Sequence, residues 1–144
     1  MTEISVEKVI KKTPAVVWEY VSEWGGTDRW IPGVGPVSTE GEGVGATRSA
    51  ELSTDTGFPG SITERLDALD ESSYWFRYST IGENPLPVSN YTAEMKVEPF
   101  KGGSLVTWSS TWEVDGLSEE ELKSAFEQLY RISLDNVERN LVSR

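Results

Sequence analysis

SEEELKSAFEQLYRISLDNVERNLV, residues 118–142, is the one long helical pattern in the chain. Ser118 followed three residues later by Glu121 makes a capping box, and Glu119, Glu120 and Glu121 suit the positive end of a helix dipole. Leu122, Phe126, Leu129, Ile132 and Val137 then recur at helical spacing, with Arg139 and Arg144 toward the C-terminal end. Ahead of this helix the pattern is of strands. Segments 34–40, 46–52, 61–69, 74–81, 90–98 and 104–114 are separated by turns rich in Gly, Pro, Asp and Ser, the signature of an antiparallel meander. At the N-terminus, residues 2–10 alternate with Ile4, Val6 and Ile10 on one face. Thr13-Pro14 opens a first short helix, with Thr13 as its cap and Val17, Trp18 and Val21 on its apolar side, up to Gly25-Gly26. Residues 27–31, capped by Thr27, form a second short helix. The fold class is α+β: one strand, two short helices, six strands and a closing helix. A single amphipathic helix must bury its stripe against the sheet, and strands that curl around it leave a pocket between.

Composition narrows what such a pocket can do. The 144 residues suit one domain, 1–144, able to bury roughly 70% of its unfolded surface. There is no His and no Cys, which excludes Cys/His zinc sites, Ser-His or Cys-His nucleophile pairs, redox dithiols and disulfides. Catalysis, if any, runs on carboxylates, Tyr, Lys, Arg, Ser or Thr, with no metal and no cofactor. With 13 Lys plus Arg against 24 Asp plus Glu, the net charge of −11 argues against nucleic acid and anionic membrane surfaces. No apolar run is long enough to span a bilayer, and no signal peptide is evident at Met1-Thr2-Glu3-Ile4. A cytoplasmic location, as a monomer or homodimer, is the expectation.

Strand alternation then asks which polar side chains face inward. In 61–69, Ile62, Glu64, Leu66 and Ala68 share a face; in 46–52, Arg48 shares one with Ala46, Ala50 and Leu52. Tyr91, Ala93, Met95 and Val97 form the inner face of 90–98. Val106, Trp108, Ser110, Trp112 and Val114 form that of 104–114, and Tyr74, Phe76, Tyr78 and Thr80 that of 74–81. Arg48 and Glu64 are therefore charges on otherwise apolar faces of strands joined by a short loop. Such charges are costly unless paired or wet. Two readings follow: a structural ion pair that orders the sheet, or a polar patch in a ligand cavity. In the second, Glu64 is acceptor or general base, Arg48 an anion anchor and Tyr91 a donor.

The stretch 56–70, TGFPGSITERLDALD, resembles the gate loop and following strand of the START-like, Bet v 1-like superfamily. It is most similar to the abscisic acid receptor type and its bacterial polyketide cyclase/dehydrase relatives. Gly45-Ala46-Thr47-Arg48 resembles the preceding strand of that family, and Leu86-Pro87-Val88-Ser89-Asn90-Tyr91 the later loop. The resemblance spans essentially the whole chain and implies a helix-grip fold, a curved seven-stranded antiparallel sheet around the long helix. It implies a hydrophobic cavity faced by Glu64 and Tyr91, with Arg48 at a recurrent strand arginine, Phe58-Pro59 as gate and residues 84–87 as the opposing latch. Here the sequence departs from the receptors: their latch carries His-Arg-Leu where this chain has Pro85-Leu86-Pro87, and their anchoring lysine has no counterpart in 34–40.

Combining faces and resemblance, the candidate catalytic set is Glu64, Tyr91 and Arg48. The candidate ligand-binding set is Phe58, Pro59, Phe76, Tyr78, Leu86, Trp108, Ser110, Phe126, Leu129 and Ser133. The first expectation is a module that encloses a small hydrophobic molecule, aromatic or polyketide-like. The alternative is a cofactor-independent polyketide cyclase, dehydratase or isomerase using the Glu/Tyr/Arg set.

Overall fold

The computed structural model describes residues 2–114 and 118–143. Seven strands form one antiparallel sheet: β1 (Thr2–Ile10), β2 (Ser38–Glu40), β3 (Thr47–Leu52), β4 (Gly60–Asp70), β5 (Trp75–Thr80), β6 (Val88–Phe100) and β7 (Gly103–Val114). Their order is β1-β7-β6-β5-β4-β3-β2, a meander from β2 to β7 to which β1 adds as the far edge beside β7. Helix α1 (Pro14–Val21) follows β1, and helix α2 (Glu119–Val142) closes the inner face. Arg144 lies outside the described residues.

Helix α2 starts as its capping box requires: Ser118 Oγ accepts from the Glu121 amide at 3.4 Å. Its buried stripe is Leu122, Phe126, Tyr130, Ser133, Leu134, Val137 and Leu141. That stripe differs from the expected one at one turn. Ile132 is 42% exposed, and Tyr130, one helical turn after Phe126, takes the inward place. Leu129 sits at the stripe's margin. Buried residues of the sheet, α1 and α2 pack into one continuous core.

The early part of the chain corrects four details. Thr13 makes no side-chain cap bond; its carbonyl accepts from Val17. The helix ends at Val21, and Gly26 belongs to a separate turn in which its amide bonds the Glu23 carbonyl. The second short helix is a single 3-10 turn, Thr27–Arg29, with Thr27 inside it rather than capping it. The expected strand 34–40 is also cut short. Pro36 has no amide to donate to a ladder, so Val34 makes only an isolated bridge to Leu52 before β2 begins at Ser38.

Two bulges change which side chains face the core. In β4 the register shifts between Leu66 and Ala68. Leu66 pairs with Tyr78 and Leu69 with Phe76, while Ala68 pairs with Arg77 on the outer face. Asp67 is thus the extra residue, and Leu69, not Ala68, continues the inner row. In β6 the shift between Ser89 and Thr92, with Asn90 at φ +55, sets Val88 and Tyr91 both inward although they are three residues apart.

Candidate functional site

Register places the two inward charges face to face. Arg48 and Glu64 are direct cross-strand partners on β3 and β4. Arg48 Nε donates to Glu64 Oε1 at 2.8 Å. Arg48 Nη1 donates to the Trp24 carbonyl at 3.2 Å. The guanidinium lies 3.9 Å from the centre of the Trp24 ring and 4.8 Å from that of Tyr78. A buried arginine is therefore held by a carboxylate, a carbonyl and two ring faces, which together offset its desolvation. The second oxygen of Glu64 makes no hydrogen bond among the described residues.

Beside this pair stands a relay of hydroxyls. Tyr130 donates to Ser110 Oγ at 2.9 Å, and Tyr91 is hydrogen-bonded to Tyr130. A phenol has one proton, so with Tyr130 spending its own on Ser110, Tyr91 donates to Tyr130. Trp108 Nε1 donates to the Tyr78 hydroxyl at 3.1 Å, and the Trp108 ring stacks on Tyr130 at 3.8 Å. Burial pushes the hydroxyls of Tyr78, Tyr91 and Tyr130 well above the ordinary phenol range, and the negative charge of Glu64 pushes them the same way. All three remain neutral at physiological pH.

These groups border one cavity of about 90 Å³ between the sheet and α2. Of the candidate residues, Arg48, Phe58, Glu64, Tyr78, Leu86, Tyr91, Trp108, Phe126 and Leu129 line it. Ser110 sits one step behind, bonded to Tyr130. Pro59, Phe76 and Ser133 are not among its lining residues. Phe76 packs against Trp18 and Tyr78, and Ser133 donates to its own helix at the Leu129 carbonyl. Tyr130, Ile31, Val34, Val37 and Ile62 also line the cavity and were absent from the candidate set. Tyr130 had a signal, its place four residues after Phe126. Residues of the 31–37 loop had none.

Phe58 lines the cavity and stacks on Phe126 with ring centres 4.9 Å apart. Its loop is bounded by Gly57 at φ +85 and Gly60 at φ +141. A Cβ on Gly60 would stand 3.0 Å from the Pro85 side chain, so the 57–60 and 84–87 loops touch there. The 84–87 loop is braced by Asn84 Oδ1, which accepts from the Leu86 amide at 3.0 Å. Among the described residues no group of three His, Cys, Asp or Glu is placed to hold a metal ion, and no helix is long and apolar enough to cross a membrane.

A curved antiparallel sheet gripping one C-terminal helix over an apolar cavity defines a helix-grip, START-like domain. The chain belongs to the polyketide cyclase/dehydrase and lipid transport family, whose model matches residues 1–142. The protein XoxI of Bacillus cereus has the same fold, with a TM-score of 0.86 and 24% identity over 99% of this chain and 96% of that one. An uncharacterised protein of Bacillus thuringiensis matches at a TM-score of 0.85 and 21% identity, over 98% of this chain and 99% of that one. At these identities the likeness concerns the fold. A Panax ginseng protein named Ribonuclease 2 is 30% identical over 88 residues, which span 58% of this chain and 57% of that protein.

Proposed function

We propose that the protein encloses a small, planar, mostly apolar molecule carrying one hydroxyl or N–H donor. The observation that carries this reading is the oxygen of Glu64 that no described residue engages, in a wall of aliphatic and aromatic side chains whose tyrosine hydroxyls are bonded among themselves and to Trp108 and Ser110. A half-buried carboxylate with one oxygen unengaged at the edge of a cavity can accept a hydrogen bond from a ligand that donates to it. Ligand sites usually exceed about 300 Å³, so the 90 Å³ cavity corresponds to a closed form. Phe58 lines this cavity and stacks on Phe126, and its glycine-bounded loop is the wall that would move to admit a larger molecule.

The lyase or isomerase reading needs Glu64 free to take a proton and Tyr91 free to give one. Arg48 engages one oxygen of Glu64 and leaves the other open, but Tyr91 already donates its proton to Tyr130; with Tyr91 so committed, binding is supported over turnover. Ribonuclease activity is not carried across from the ginseng protein. A net charge of −11 opposes approach of a polyanion.

The test pairs native mass spectrometry of the purified protein with a tryptophan-fluorescence titration by 2-naphthol and its methyl ether. We expect saturable quenching by the naphthol, about tenfold weaker binding of the ether, which lacks the donor, and naphthol recovered unchanged. Equal affinity for the two, no saturation, or chemical conversion of the naphthol would each overturn the reading.

A further inference from the structure

The wall of the interior cavity has one phenol proton left to give. Tyr78 is 3% exposed and lines the cavity. Its hydroxyl oxygen accepts from Trp108 Nε1 at 3.1 Å, the only hydrogen bond that this hydroxyl makes among the described residues. A phenol carries one proton, and an oxygen that only accepts leaves that proton unspent. The other two tyrosines of the wall differ, because Tyr91 donates to Tyr130 and Tyr130 to Ser110. A buried donor without an acceptor is costly until something in the cavity accepts from it.

Register sets this donor beside the unengaged oxygen of Glu64. Glu64 faces Thr80 across the ladder of β4 and β5, and Tyr78 precedes Thr80 by two residues, on the same face of β5. The two side chains are thus diagonal neighbours on the inner face, within reach of one small molecule. Two further polar residues line the same cavity. Thr27 can donate or accept and fixes neither sense. Arg48 is tied to Glu64 and to the Trp24 carbonyl, with its guanidinium against the rings of Trp24 and Tyr78.

We infer that Tyr78 determines specificity by donating its O–H to a neutral acceptor, a carbonyl oxygen, on the molecule whose own donor meets Glu64. This rests on the Glu64 reading above and narrows the occupant to a planar hydroxyaryl carbonyl compound. A carboxylate in the carbonyl's place would set a second negative charge beside Glu64, whose partner Arg48 is already engaged. Tyr78 serves as a hydrogen-bond donor and not as an acid, since burial and the charge of Glu64 hold its proton tightly.

The test titrates the whole 15N-labelled protein and its Tyr78→Phe variant with 3- and 4-hydroxyacetophenone and with 3- and 4-isopropylphenol, which match them in shape but lack the carbonyl. In the native protein the Trp108 indole N–H is the reporter. Once Tyr78 gives its proton to a carbonyl, its oxygen becomes a stronger acceptor, so a hydroxyacetophenone should move that resonance downfield and the matching isopropylphenol should not. Tyr78→Phe should weaken the better-bound hydroxyacetophenone about tenfold more than its isopropyl counterpart. Equal losses for the two in Tyr78→Phe, or the same Trp108 shift with and without the carbonyl, would each overturn the inference. If the variant does not fold, the native Trp108 resonance decides alone. Phenols that bind and outcompete their methyl ethers without either Tyr78 signature would sink this inference and spare the Glu64 reading; phenols and ethers that bind equally would sink both.

Discussion

The interior cavity holds one positive and one negative side chain bonded to each other at 2.8 Å. An outer cleft between the 22–25 loop, the 41–43 turn and β4 instead carries three carboxylates, Glu23, Glu42 and Glu71, which form no ion pair among the described residues. Both rest on apolar floors, and both use Trp24, which bears Arg48 against its ring and lines the cleft. The difference follows from burial. Inside, the Arg48 and Glu64 side chains are only 7% and 16% exposed, and charges there persist only when paired and hydrogen-bonded. Selection inside must therefore come from shape and single hydrogen bonds. Outside, water keeps unpaired carboxylates cheap.

Mutations can break this contrast, most severely at the pair. Arg48→Met removes the partner of a largely buried carboxylate and should cost about 3–5 kcal/mol in urea unfolding. Combined with Glu64→Gln it should cost less than Arg48→Met alone. A loss below about 1 kcal/mol would mean that the pair behaves like a surface bridge, and the contrast drawn above would fail. Tyr130→Phe probes the hydroxyl relay. It strips Ser110 of a donor and Tyr91 of an acceptor, an expected loss of about 1–3 kcal/mol by the same measurement. The smallest effect belongs to the cleft. E23Q/E42Q/E71Q alters exposed groups that form no ion pair among the described residues, so its stability should stay within about 0.5 kcal/mol per site. A larger loss would show these glutamates holding the fold.

Much of the interior was legible in the sequence because one charge on an otherwise apolar strand face is conspicuous. Arg48 and Glu64 each stood out in that way, and the short loop between their strands implied the contact that is found. Tyr130 was harder to see. Its ring is apolar but its hydroxyl is not, so a count of aliphatic residues along the helix passed over it to Ile132. Phe76 and Ser133 show another limit, since periodicity separates inside from outside but not cavity from packed core. The bulge at Asp67 left no mark, because a polar residue there reads as outward-facing whether or not the register shifts. The outer cleft was invisible for a further reason. It exists only where two loops distant in sequence approach the same strand ends.

The bulge at position 67 lets β4 serve two sites. Ile62 and Glu64 border the interior cavity, whereas Leu66, just before the extra residue, and Leu69, just after it, line the outer cleft. Were the same residues paired in unbroken alternation, the first half of the strand would stay in place and the second would turn over, offering Ala68 where Leu69 now stands. The cavity would keep its wall, and the cleft would lose Leu69 from beside Leu66 and Phe76. One offset in the ladder thus lets a single strand present apolar side chains to two separate places.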